Sequence, residues 1–228
     1  MRTVIKLLFV VQLGISIPYA NAQADATKPV GVNHKVAEFN KRIEDGEEIA
    51  RLLGQVDGSS QFLRLRIISA MRENDWTDEE RDYFIEHTNV SFERVDGQNA
   101  EIVKTILSRW GWRELHRIEP QFVERAWSAV NHSANIEWQK SVLSESYELV
   151  KDGIIDPLNY ANLYDSVEFE TTGLLRYGTK KECTSEGLVY IDGREASEFE
   201  LARKDLGLPS TDEDKELHVQ LYGPCPSD

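Results

Sequence analysis

The chain has 228 residues, with 26 basic and 40 acidic side chains and a formal net charge of −14. That charge repels nucleic-acid phosphates and anionic membrane surfaces, so neither is an expected partner. The length suits one domain with an appendage and is enough to bury a hydrophobic core.

Residues 1–22 read as a secretory signal peptide. Arg2 and Lys6 precede an apolar run over residues 7–17, Pro18 breaks it, and Ala20-Asn21-Ala22 supplies the small-x-small pattern before Gln23. The run is too short to span a bilayer, and no cysteine stands at the cleavage point to carry a lipid. The mature protein is therefore expected to be exported without a membrane anchor, to the periplasm or the medium. Losing Arg2 and Lys6 takes its formal net charge from −14 to −16.

Residues 23–32 read as a flexible leader, and residues 33–209 as a single, mainly α domain with a small antiparallel β-hairpin or sheet near its C-terminal end. Val36, Phe39, Ile43, Ile49, Leu52 and Leu53 follow helical spacing, residues 55–60 read as a loop, and Phe62, Leu65, Ile68 and Met71 mark a second helix. Thr77-Asp78-Glu79-Glu80 is a capping-box pattern that opens the next one. Another helix is expected to start over residues 96–99 and to carry Ile102, Val103, Ile106 and Leu107, with Gly111 ending it. Pro120 suits the first turn of a helix bearing Phe122, Val123, Ala126, Trp127 and Val130. Trp138, Val142, Leu149 and Val150 mark a further helix, and Pro157 opens a short one. Residues 167–179 and 188–191 alternate and carry β-formers, which predicts the hairpin or sheet. Residues 195–206 return to helix, and residues 210–228 form a polar, mostly irregular tail.

Cys183 and Cys225 are the only cysteines. An even count in an exported chain predicts a disulfide. Joining them closes a loop of about 43 residues, worth about 4 kcal/mol in the chain-entropy model. The bridge would tie the tail back beside residues 176–180.

The chain lacks a phosphate-binding Gly-Lys-Ser/Thr loop, a His-Glu-x-x-His pair, a nucleophile elbow and an EF-hand loop. His34, His87, His116, His132 and His218 show no metal-ligand spacing, so neither metal nor cofactor is expected. His132, towards the end of a predicted helix, is either a general acid/base or a hydrogen-bonded histidine at a helix junction. Gln139 follows seven residues later. Asp165 either orients an imidazole or caps backbone amides. Tyr177-Gly178-Thr179 is either a plain turn or a site at which Gly178 permits close approach between two hydroxyls.

Taken in order, Gly111-Trp112, Trp127 to His132, Gln139, Asp165, Tyr177-Gly178-Thr179 and Arg203 to Leu208 resemble a bacterial family catalogued as domain of unknown function number 6624. The resemblance covers residues 71–208 and includes Asp75 and Asp96 to Asn99 in its lead-in. It departs from the family pattern at Arg113 (Pro there), Asn131-His132-Ser133-Ala134 (Gln-His-Ala-Asp there), Ser166 (Arg there) and Lys180 (Gln there). What the resemblance implies is a site without a named chemistry, from a divergent member. On this reading the protein is a binding or interaction module of the cell envelope, with an unknown small molecule or an envelope protein as partner. The alternative is a metal-independent hydrolase or group-transfer enzyme. It would use His132, Asp165 and Tyr177 as catalytic residues, and Gln139, Gly178, Thr179 and Arg203 to bind ligand.

Overall fold

The computed structural model describes residues 30–73, 76–185 and 187–225. The expected signal peptide, residues 1–22, and most of the expected leader lie outside the described residues. The chain divides into two compact units, residues 1–41 and 42–228. In the first, the described residues are helical, with Val36 and Phe39 exposed.

Eight α-helices and one two-stranded antiparallel sheet make up the described secondary structure, with one short 3-10 helix. The helices are α1 (Val30–Glu73), α2 (Asp78–Arg109), α3 (Gly111–Ile118), α4 (Pro120–Asn131), α5 (Ile136–Lys151), α6 (Pro157–Thr172), α7 (Glu200–Leu206) and α8 (Thr211–Tyr222). Strands β1 (Lys181–Thr184) and β2 (Gly187–Tyr190) pair with Cys183 opposite Leu188, and the 3-10 helix is Ala196–Glu198. The mainly helical class with a small late hairpin is thus what the residue pattern predicts.

Local boundaries differ from the sequence reading in four places. Residues 55–60 continue α1, because Val56 is buried and α2 supplies a partner to both the Val56 carbonyl and the Ser59 hydroxyl. The Asn99 amide donates to the Val56 carbonyl at 3.3 Å, and Ser59 Oγ donates to Asn99 Oδ1 at 3.0 Å. Residues 96–99 therefore lie inside α2 and serve as ties rather than as a helix start; α2 begins at Thr77, whose capping box with Glu80 is fully formed. Residues 167–172 continue α6, and the strands form later, at residues 181–190. The tail carries α8, opened by a Ser210 capping box with Glu213.

Burial of one apolar face per helix drives this assembly, at about 1.5–3 kcal/mol for each large aliphatic side chain removed from water. Ile49 and Leu53 of α1, Val103 and Ile106 of α2, Leu115 of α3, Ala126 and Val130 of α4, Leu149 of α5 and Leu163 of α6 form one core. Trp127 closes it from α4, donating its indole N–H to the Asn159 carbonyl at 3.2 Å. Leu175, Tyr190 and Phe199 form a smaller second core under the hairpin. The Cys183–Cys225 disulfide, with Cα atoms 5.4 Å apart, fastens the end of the chain to β1. No described helix is long and apolar enough to cross a membrane.

Candidate functional site

Asp165 lies in the middle of α6 and is completely buried. Its carboxylate is saturated by one short stretch of chain. Oδ1 accepts from the backbone N–H of Arg176 at 2.7 Å and of Tyr177 at 2.9 Å, and Oδ2 accepts from the Thr179 N–H at 2.8 Å and the Thr179 hydroxyl at 3.0 Å. Residues 176–179 have no helix or strand partner, so the carboxylate does for their amides what a ladder would do elsewhere.

Gly178 adopts φ +62°, and a Cβ there would come within 2.7 Å of the Phe199 ring. Glycine is required by both the backbone angle and the space. Tyr177 is buried edge-on against Tyr160 and Tyr164, with ring centroids 6.4 Å and 5.4 Å away. Burial raises the pKa of the Tyr177 phenol and pushes Tyr160 up to about 12, so both hydroxyls stay protonated at neutral pH. The Arg176 guanidinium lies over both Tyr164 and Tyr177, 5.7 Å and 5.8 Å from their centroids.

Arg203 joins this knot from α7. It is 1% exposed, donates from Nη1 to the Tyr177 carbonyl at 2.7 Å and from Nε to the Pro209 carbonyl at 2.8 Å. Its Nη2 lies 3.3 Å from Asp214 Oδ2 without the alignment of a hydrogen bond. Asp214 is also paired with Lys181 of β1. Five of the predicted residues, Asp165, Tyr177, Gly178, Thr179 and Arg203, are therefore one contiguous network that ties α6, α7 and α8 to the start of the hairpin. Lys180, next in line, is partly desolvated, which lowers its pKa against the opposing pull of Asp165.

His132 and Gln139 form a second group. Gln139 is buried, and its Nε2 reaches the carbonyls of Val130, Ser133 and Asn131 at 3.0, 2.9 and 3.3 Å. These carbonyls lie at and just beyond the end of α4, so Gln139 locks the turn on which His132 is the capping residue. His132 is exposed as a residue, yet loss of water around the ring lowers its pKa. The Arg64 guanidinium lowers it further, while the Asp96 carboxylate raises it. None of the hydrogen bonds received by Asp165 comes from His132.

Asp96 is 8% exposed and holds Arg64 Nη2 at 3.0 Å, across α2 and α1. The sequence signal for Asp96 was its place in the Asp96-to-Asn99 segment, while Arg64 stands among ordinary helical charges and carried none. Two of the departures from the family pattern are locally satisfied. Arg113 pairs with Asp152, and Ser166 Oγ donates back to the Asn162 carbonyl at 2.7 Å. A cleft of about 540 Å³ beside the hairpin is lined by Glu182, Leu188, Tyr190, Arg194, Glu195 and Lys215 among others; none of the seven predicted site residues lines it.

A helical protein with one carboxylate-centred backbone knot and one polar helix junction is the class that this geometry defines. A family model described as a family of unknown function, DUF6624, matches residues 55–224, and the chain belongs to that family. No curated protein and no solved structure matches the chain at a significant level.

Proposed function

We propose that this is an exported, non-catalytic binding or interaction module of the cell envelope, in which residues 165–179 and 203 are scaffold. The observation that carries this reading is the saturation of Asp165. A carboxylate with both oxygens committed to four donors, at zero exposure, has no lone pair to offer an imidazole or a reactant. The Tyr177 phenol, buried and kept protonated, likewise serves packing. The enzyme that would combine His132, Asp165 and Tyr177 draws no support from this arrangement.

Export rests on the residue 1–22 pattern, and the Cys183–Cys225 bridge suits an oxidising compartment. Expression of the full chain in a Gram-negative host, followed by osmotic shock and intact-mass measurement, tests both. The expected species starts at Gln23 and has no free thiol; an unprocessed, reduced chain retained in the cytoplasm overturns export. For the module reading, a photo-crosslinker placed beside the helix junction at Asn131 in the exported protein should yield an envelope adduct of defined mass. Tyr177→Phe should leave that adduct unchanged, whereas an adduct or product that depends on the phenol favours the enzyme.

A further inference from the structure

The run Leu188-Val189-Tyr190-Ile191 consists of β-formers, and it supplies one strand of a two-stranded sheet, in which each strand keeps one edge unpaired. The Ile191 N–H donates to the Lys180 carbonyl at 3.3 Å, so those two residues are a hydrogen-bonded pair. Such pairs alternate along an antiparallel ladder, which makes Glu182 with Val189, and Thr184 with Gly187, the next ones. Leu188 and Tyr190, opposite Cys183 and Lys181, therefore turn their backbone N–H and C=O groups away from β1. The Tyr190 carbonyl is taken by the Gly193 N–H at 3.0 Å. Leu188 is half-buried, and among the described residues no hydrogen bond reaches its N–H or its C=O.

The cleft of about 540 Å³ lies along that edge. Side chains alternate between the two faces of a strand, yet every residue from Leu188 to Ile191 lines the cleft, so it opens along the edge as well as over a face. Leu188 and Tyr190 share one face, and Val189 shares the other with Glu182, its partner across the ladder. Two cations line the cleft, Arg194 and Lys215. Arg194 Nε donates to Asp192 Oδ2 at 2.9 Å, which balances its charge. The Lys215 ammonium stands 5.1 Å from the centre of the Tyr190 ring and makes no ion pair with a described residue. Lys181 also approaches that ring, at 5.8 Å, but is committed to Asp214. An open N–H and C=O on one residue are matched by the backbone of another strand, and an unpaired ammonium by a carboxylate. Glu182 on the Val189 face disfavours a second acid there.

We propose that the cleft beside β2 takes an extended peptide segment of a partner protein, added antiparallel to the Leu188 edge, with an acidic side chain against Lys215 on the Tyr190 face and aliphatic side chains on the Val189 face. This rests on the module reading and deepens it, since it gives the module a docking edge and a partner chemistry. An adduct at Asn131 with no peptide bound at Leu188 sinks the docking edge and leaves the module reading standing.

The probe is the peptide acetyl-Val-Glu-Val-Glu-Val-amide, titrated into the exported chain and followed by NMR and amide hydrogen exchange. The Leu188 amide should exchange readily in the protein alone and slow as the peptide saturates, while the Val189 amide, bonded to Glu182 throughout, should not change. Lys215→Ala should weaken binding about tenfold, as loss of one charged contact predicts, and Lys215→Glu should turn the preference to acetyl-Val-Lys-Val-Lys-Val-amide. The net charge of −14 opposes an acidic peptide at long range, so a preference for it reports a local cation. N-methylation of both glutamates removes the N–H that meets the Leu188 carbonyl and should abolish binding. A Leu188 amide as protected as that of Val189 in the protein alone, equal binding of the N-methylated peptide, or no binding of either peptide overturns strand addition. A lysine peptide bound as tightly as the glutamate one by the unsubstituted chain overturns the acidic partner.

Discussion

At the scale of single residues, two groups in the Asp165 knot permit sharp forecasts. Asp165→Asn keeps the size of the side chain and removes its charge. It also turns an NH₂ towards donors, either the Thr179 amide and hydroxyl or the Arg176 and Tyr177 amides. Bonds to a charged acceptor contribute about 1.5–3 kcal/mol each, and a buried donor left unpaired costs a comparable amount. A loss of about 3 kcal/mol in urea unfolding is expected, with the curve's slope unchanged. A loss below 1 kcal/mol would mean that residues 176–179 are not held by this carboxylate. Gly178→Ala is expected to cost about 1–3 kcal/mol for the positive φ alone, with the Phe199 ring adding a steric penalty. Since Gly178 follows Tyr177 and lies against the Phe199 and Tyr190 rings, the near-ultraviolet circular dichroism should change with it.

At the scale of elements, the helices with a cap and a clear apolar stripe were legible in the residues, and the rest were obscured for identifiable reasons. Thr77 with Glu80 and Pro120 mark real starts because capping is local chemistry. Residues 55–60 resembled a loop because Gly58, Ser59 and Ser60 lower local helix propensity; the tie from Asn99, 43 positions away in sequence, outweighs it. Residues 167–172 alternate like a strand, yet α6 continues because Val167 and Tyr164 face packed neighbours along one helical side. The knot itself was half legible: its residues could be picked out by motif, while the direction in which Asp165 points is set by the fold. Residues 210–228 looked irregular because α8 is polar and amphipathic only weakly, though Ser210 with Glu213 was a readable start. Helix α8 is held by the Cys183–Cys225 bond, by Asp214 against Lys181 and Arg203, and by Thr211, whose N–H donates to Glu200 at 2.9 Å. Replacing both cysteines by serine should lower stability by about 4 kcal/mol in the chain-entropy model. Hydrogen exchange should accelerate first over residues 211–222; uniform acceleration across all helices would place the effect in the unfolded chain alone.

At the scale of the whole molecule, acid should act on the protein in two separate steps. The pKa of His132 is lowered in the folded state, chiefly by loss of water and then by Arg64, so the unfolded chain binds that proton more readily. Stability from this source is complete above the ordinary histidine value of about 6.5 and is lost as pH falls through it towards the folded value. The carboxylates come later. Glu80 is held down by the Thr77 amide and hydroxyl, Glu200 by the Thr211 hydroxyl and amide, and Glu213 by the Ser210 amide and hydroxyl. At Asp192 burial works against the ionised form, but the Leu175 amide and Arg194 outweigh it and lower its pKa. These four stabilise the fold above the ordinary carboxylate range and give that up only below about pH 4.5. Urea midpoints measured from pH 8 to pH 3 should therefore decline in two stages. His132→Gln should flatten the decline that sets in below about pH 6.5 and leave the lower one intact, because the caps that govern the lower stage lie on α2, α7 and α8. An unchanged upper stage in that variant would show that His132 meets the same solvent folded and unfolded, so that its ring carries no desolvation in the fold.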